Sequence, residues 1–288
     1  MRILNLHGFS GSSENTNYRM IRQASPSSEI VSETIDYENT SPKAIIKKYC
    51  NDGAFDIVVG NSFGGFLAYV IGAKLDVKTV LTNPCVPPAD YITKLLESYR
   101  YTDELEELWN RYHGKNYNCH VLLGRDDEVI DPHNTYRLLS GNRCDFAWTS
   151  AGHSLNEWDL DWWFEDKVSQ RFEFANNGGI EEQVFVLNGV TYSISKVFSD
   201  FENAINEYYH SGLADWAKKL FENPVWACPR LVIDENGRIR EIDFTDNYGD
   251  NIHGTIEICI EDYFSDEEYR KEELHECSLA LFENLIGG

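Results

Sequence analysis

Short apolar runs alternate with longer amphipathic stretches through the first half of the chain. Residues 2–6, 29–35, 57–59, 77–83, 119–123 and 144–149 read as six strands. Helical patterns separate them. One runs over 15–23, with Tyr18, Met20 and Ile21 near one face. Another starts at Ser41-Pro42, with Pro42 at the first helical position and Ala44, Ile45, Ile46 and Tyr49 on its apolar side. A third follows from Phe66 to Lys74. Strands that are almost wholly apolar and alternate with helices predict a parallel sheet covered on both faces, with right-handed crossovers. Ligands of such sheets bind at the carboxyl ends of the strands.

Two stretches depart from this rhythm. Between Pro84 and Asn118, Tyr91, Leu95, Leu96 and Tyr99, then Leu105, Leu108, Trp109 and Tyr112, mark two amphipathic helices. They predict a small helical cap at about 88–117, with a surface helical hairpin as the other reading. Asn176-Asn177-Gly178-Gly179 then starts a linker. Beyond it, 183–187 and 191–195 flank Asn188-Gly189, the strongest short hairpin signal. A helix is expected over 198–221 with a break near Ser211-Gly212, and a second hairpin over 230–233 and 239–244 around Glu235-Asn236-Gly237. A strand over 255–260 and a last helix introduced by Ser265-Asp266-Glu267-Glu268 as a capping box complete the pattern. The chain thus divides into an α/β domain over 1–172 and a smaller α+β domain over 181–288.

Composition narrows the classes. A length of 288 residues suits one full α/β domain plus a smaller one, and 42% hydrophobic residues suffice for a sizeable core. No apolar run is long enough to span a membrane, and the opening residues are too mixed for a signal-peptide core. The seven cysteines are scattered without a Cys-x-x-Cys pair, which predicts free thiols and a cytoplasmic setting. Net charge is -23, with 17 Lys+Arg against 24 Asp+Glu in 1–171 and 8 against 24 in 172–288. Such an acidic chain is repelled by nucleic acid and anionic membranes, so neither is expected as a partner. The acidic second half is the expected place for any protein partner.

The candidate chemistry sits at strand ends. Gly60-Asn61-Ser62-Phe63-Gly64 lies between the third strand and a helix, the context of a nucleophile elbow. The glycines are needed because side chains two residues either side of the serine would collide with backbone. A serine hydroxyl needs a base, and the base an orienting acid. The fifth strand leads into Gly124-Arg125-Asp126-Asp127-Glu128-Val129-Ile130-Asp131, and the sixth into Ser150-Ala151-Gly152-His153. His153 is the expected base. Asp127, three after the glycine and before the apolar pair Val129-Ile130, is preferred as the acid over Asp126 and then Asp131. The backbone N–H groups of Phe63 and Phe9 are the expected oxyanion donors. His7 is read as bracing the loop that carries Phe9, and His113, His120 and His133 lack the loop context. No histidine pair has metal-ligand spacing with a third donor, so no metal and no cofactor is expected. Trp158, Trp162 and Trp163 read as the buried face of the helix after His153.

His7-Gly8-Phe9, Gly60 to Gly65 with Phe66-Leu67-Ala68, Asn83-Pro84 with Pro87, Asp127-Glu128-Val129 and Gly152-His153 occur in an order and spacing that resembles the YqiA-type small esterases of the α/β-hydrolase superfamily, over about residues 1–170. The resemblance implies a three-layer sandwich with a mostly parallel sheet, and a serine esterase acting on simple carboxylic esters without a cofactor. It places the triad at Ser62, Asp127 and His153. The alternative is a silent α/β-hydrolase-fold module acting through its acidic C-terminal domain.

Overall fold

Residues Arg2–Leu6 form β1, inside a six-stranded sheet whose order is β2-β1-β3-β4-β5-β6. The structure is a computed structural model that describes residues 1–96, 98–142, 144–175, 183–212, 227–245 and 251–286. The other strands of this sheet are β2 (Glu29–Ser32), β3 (Ile57–Asn61), β4 (Lys78–Thr82), β5 (Cys119–Gly124) and β6 (Asp145–Thr149). Every neighbouring pair is parallel. Among the described residues, α1 (Thr16–Ala24), α2 (Pro42–Asp52), α3 (Ser62–Leu75), α4 (Pro88–Leu95), α5 (Thr102–Tyr112) and α6 (Pro132–Leu139) lie between these strands, and α7 (Glu157–Val168) follows β6.

The alternation of side chains along each strand feeds two separate cores. Ile57 and Val59 of β3 pack with Met20 and Ile21 of α1 and with Leu160 and Phe164 of α7. Val58, between them, packs on the other face with Ile45 and Ile46 of α2, Phe66 and Val70 of α3 and Leu105 of α5. A strand covered on both faces must be apolar at every position, which is why 57–59 lacks a polar residue. The result is a three-layer α/β sandwich. Its strand order reverses at β1, with β2 on one side and β3 on the other, so a crevice opens beyond the carboxyl ends of β1 and β3.

Local chemistry sets the helix starts. Asn15 caps α1 by accepting from Tyr18 N, and Ser41 caps α2 ahead of Pro42. The segment expected to form a cap supplies α4 and α5. Leu105 and Leu108 of α5 enter the main core, and Glu104 accepts from Ser41 Oγ at 2.6 Å, joining α5 to the start of α2.

Two expectations are corrected here. β2 stops at Ser32 rather than reaching Ile35, because the Ile35 N–H leaves the ladder and donates to His7 Nε2 at 2.8 Å. The three tryptophans do not share a buried face. Trp163 is 2% exposed, whereas Trp158 is 90% and Trp162 50% exposed. At 3.6 residues per turn, 158 and 162 lie on one face of α7, while Leu160, Trp163, Phe164 and Val168 make the inner one.

The second compact unit runs from Gln170 to Gly288 and the first ends at Ser169. The division precedes residue 172 because Arg171–Ala175, β7, pairs with strands further along the chain. β8 (Val184–Leu187), β9 (Val190–Ser193), α8 (Ile194–Gly212), β10 (Ala227–Asp234), β11 (Arg238–Thr245), β12 (Asn251–Cys259), α9 (Ile260–Ser265) and α10 (Glu267–Ile286) follow. An antiparallel sheet has the order β12-β11-β10-β7. Asn188 and Gly189 take φ of 51° and 80°, the two left-handed positions that the β8–β9 turn requires. Asp266, not Ser265, caps the last helix, accepting from Glu268 N and Tyr269 N, because Ser265 still belongs to α9. The expected linker at 176–179 and the helical stretch 213–221 lie outside the described residues.

Candidate active site

β3 ends at Asn61 and α3 starts at Ser62, with no residue between them. The chain turns through Ser62 itself, at φ 52°. A non-glycine residue in the left-handed region carries roughly 1–3 kcal/mol of strain and persists only where its surroundings enforce it. They do so through Gly60 and Gly64. A Cβ on Gly60 would lie 2.6 Å from Ala68 Cβ, and one on Gly64 would overlap the carbonyls of Leu6 and His7. β1, β3 and α3 therefore meet backbone on backbone beneath the serine. Cys85 N donates to Ser62 O at 2.9 Å, joining this turn to the loop after β4.

The three residues predicted as a triad come together. His153 Nε2 lies 3.2 Å from Ser62 Oγ, and His153 Nδ1 lies 2.9 Å from Asp127 Oδ2 and 3.1 Å from Oδ1. The Asp127 side chain is 1% exposed and that of His153 18%. Asp127 Oδ1 also accepts from Val129 N and Ile130 N, both at 2.8 Å. A carboxylate facing Nδ1 assigns the ring proton to that nitrogen, leaving the Nε2 lone pair toward the serine hydroxyl. Asp126 is exposed, and Asp131 caps α6 by accepting from His133 N and Asn134 N. Of the pair expected to anchor the acid loop, only Ile130 is buried; Val129 is 43% exposed and contributes its N–H instead.

Two side chains absent from the sequence-derived triad hold it. Asn83, buried at the end of β4 with φ 44°, accepts from Gly124 N at 2.8 Å. Its amide donates to Gly152 O at 3.1 Å and His153 O at 3.0 Å. One side chain thus fixes the acid loop and the histidine loop. Glu128 Oε2 accepts from His153 N at 3.1 Å, and backbone N–H groups of Glu128 itself and of His153 hold this carboxyl below its ordinary range. Gly124 and Gly152 are required by closeness. A Cβ on Gly124 would lie 2.6 Å from Gly152 O, and one on Gly152 2.8 Å from Glu128 Oε2. The sequence marks Asn83 only as half of an Asn-Pro pair; a lone asparagine at a strand end carries no signal of three partners.

The loop after β1 is braced by His7. Its Nε2 accepts from Ile35 N, so the proton is on Nδ1, which donates to Gly8 O at 2.7 Å. Tyr37 OH donates to His7 O at 2.8 Å. Burial pushes the His7 imidazole below its usual value, against a smaller opposing effect from the Gly8 carbonyl. A Cβ on Gly8 would lie 3.1 Å from Ser62 Cβ, so this loop passes directly beside the serine. Phe9 follows it, its ring packed edge-on against Phe63 at 5.6 Å between centroids. Phe63 is the second residue of α3, where backbone N–H groups lack intrahelical acceptors. The other histidines lie elsewhere. His113 bonds the Leu138 carbonyl, His133 packs on Trp148, and His120 sits at the start of β5, the end away from Gly124. Among the described residues no cluster of three or more His, Cys, Asp or Glu is placed to hold a metal ion, and no helix is long and apolar enough to cross a membrane.

A UPF0227 protein of Shewanella woodyi is 29% identical over 140 residues, covering 45% of this chain and 77% of that protein. One from Citrobacter koseri is 26% identical over 148 residues, covering 48% and 81%. Among solved structures, Est1E from Butyrivibrio proteoclasticus is 12% identical with a TM-score of 0.45, covering 58% of this chain and 88% of that one. The esterase domain of a Rhodothermus marinus protein is 14% identical with a TM-score of 0.46, covering 58% and 84%. Residues 2–159, more than half of the chain, match the model of the uncharacterised protein family UPF0227, so the chain belongs to this family.

Proposed function

We propose that this chain is a serine hydrolase that cleaves uncharged carboxylic esters or thioesters through an acyl-enzyme. The observation that carries the reading is the continuous path from Asp127 through His153 to Ser62, with 2.9 Å and 3.2 Å between the interacting atoms. Ser62 Oγ attacks the carbonyl carbon while its proton passes to His153 Nε2. The Oγ–C bond forms and the carbonyl oxygen becomes an oxyanion, held by the N–H groups of Phe63 and Phe9 at about 3–4 kcal/mol for each donor. As the intermediate collapses, the bond to the leaving oxygen or sulfur breaks and Nε2 returns the proton to it. Water then repeats the sequence in reverse roles and frees the acid. Asp127 orients the imidazole and stabilises it while charged. Nucleophile, base and oxyanion donors are all groups of the chain, so the chemistry calls for no cofactor. The esterase names of structural neighbours are consistent with this reading. The net charge of -23 disfavours anionic substrates.

Steady-state hydrolysis of a p-nitrophenyl ester tests it. Asp127→Asn should lower turnover about 10³–10⁴-fold, because the wrong tautomer then faces the serine. Asp126→Asn should stay within a few-fold of wild type. The opposite ranking would reassign the acid, and no turnover by a folded wild type would leave the silent-module reading.

A further inference from the structure

A cleft of about 130 Å³ adjoins the candidate triad, bordered by Asn15, Thr16, Asn17, Asn61, His153 and Ser154, with one leucine completing it. We infer that it is the leaving-group subsite, and that it selects esters of small polyhydric alcohols, in which a second uncharged hydroxyl lies a few bonds from the scissile oxygen. This inference rests on the serine-hydrolase reading and adds the class of substrate to it.

Three observations carry it. The first is position. In that reading His153 Nε2 hands the proton to the departing oxygen, so whatever is attached to that oxygen leaves beside the imidazole. A cleft with His153 as one wall is where that group belongs. The second is chemistry. Among the described residues, no titratable side chain other than the imidazole borders the cleft. A carboxylate, phosphate or ammonium would find no counter-charge there and would forfeit its hydration. Carboxamides and hydroxyls both donate and accept, as an alcohol does. The third is how these groups are held. Asn17 is 3% exposed, and its amide donates to Thr82 Oγ1 at 3.0 Å, as does the amide of Asn61 at 3.2 Å. Asn15 Oδ1 is committed to Tyr18 N at 2.8 Å, which fixes the orientation of its amide. Its Nδ2 is therefore a donor, and it is buried with no acceptor among the described residues. Buried amide donors are seldom left without a partner.

The test compares two esters of one acid, 1-monobutyryl glycerol and propyl butyrate, so that only the leaving group differs. Wild type should prefer the glycerol ester by roughly ten-fold in kcat/KM, the worth of one or two net hydrogen bonds. Asn17→Leu should bring the ratio to about one or below, and Thr16→Val, a milder change, should reduce it a few-fold. Each ratio is internal to one protein, so a general loss of activity does not imitate the effect. The wild-type ratio stands even if Asn17→Leu melts too low to assay. A wild-type ratio near one, or a ratio unchanged in both variants, overturns the subsite. Fluorophosphonate labelling of wild type separates the two levels. Labelling with no glycerol preference removes only the subsite, whereas no labelling and no turnover of either ester removes the serine-hydrolase reading and this inference with it.

Discussion

Asn83 joins three backbone groups from two loops through one amide, which makes its effect distinguishable from that of a triad member. Asn83→Ala leaves Gly124 N, Gly152 O and His153 O without that partner in a buried place, at about 1–3 kcal/mol for each unmet group. Because the loss loosens His153 rather than the contacts to substrate, kcat should fall about 10–100-fold while KM changes little. A KM effect without a kcat effect would count against this role. His7 makes a second prediction at this scale. Its Nε2 is occupied by the Ile35 N–H and burial lowers its pKa, so the folded protein resists its protonation. An unfolded histidine titrates near 6.5. The unfolded chain therefore binds more protons as pH falls below that value, and the stability associated with neutral His7 is full above about 6.5 and lost as pH drops toward the folded value. His120, also lowered by burial, acts in the same direction. An NMR titration should place the His7 imidazole below about 6.5, and His7→Asn should melt lower at pH 7.5 but lose less on acidification to pH 5. A His7 titration above 6.5 would reverse the sign.

The turn from β3 into α3 depends on steric exclusion. Gly64→Ala would push a methyl into the carbonyls of Leu6 and His7, both rigid backbone, so the cost should reach several kcal/mol, the upper range for overpacking. Urea denaturation should show a large fall in midpoint, and a shift below about 1 kcal/mol would mean that β1 gives way easily. Gly141 is a useful control, since a Cβ there meets nothing within 4 Å. Much of this level is legible in the sequence. Apolar runs locate five of the strands of the first sheet, alternation over 29–35 locates β2, and the spacing Gly-x-Ser-x-Gly locates the turn. The misses have local causes. Ile35 has strand-like neighbours, but its N–H is taken by a histidine 28 residues away, which no periodicity reports. Trp158 and Trp162 look like core by composition, yet helix phase turns them outward. Ser265 and Asp266 are both capping residues, and only the end of α9 decides between them.

For the molecule as a whole, the sheet order is what gathers the site. Ser62, Asp127 and His153 follow β3, β5 and β6, and the loop of His7 follows β1, all at one edge of a parallel sheet. That convergence follows from a parallel sheet, so the meeting of these three side chains is legible from strand ends and spacing. The Asn-lined cleft is not. Asn15, Asn17 and Asn61 come from two separate segments whose meeting at His153 depends on how α1 packs. The second unit has its own core, built on Phe201, Ile205, Leu231, Ile242 and Tyr263. The central claim is that Ser62 is an activated nucleophile, and covalent labelling addresses it most directly. Full-length protein is treated with a fluorophosphonate, and the modified peptide is located by mass spectrometry. The account predicts one adduct on Ser62, absent in Ser62→Ala and strongly slowed in His153→Ala. A folded wild type that takes up no label, or that carries it on another residue, would contradict the account.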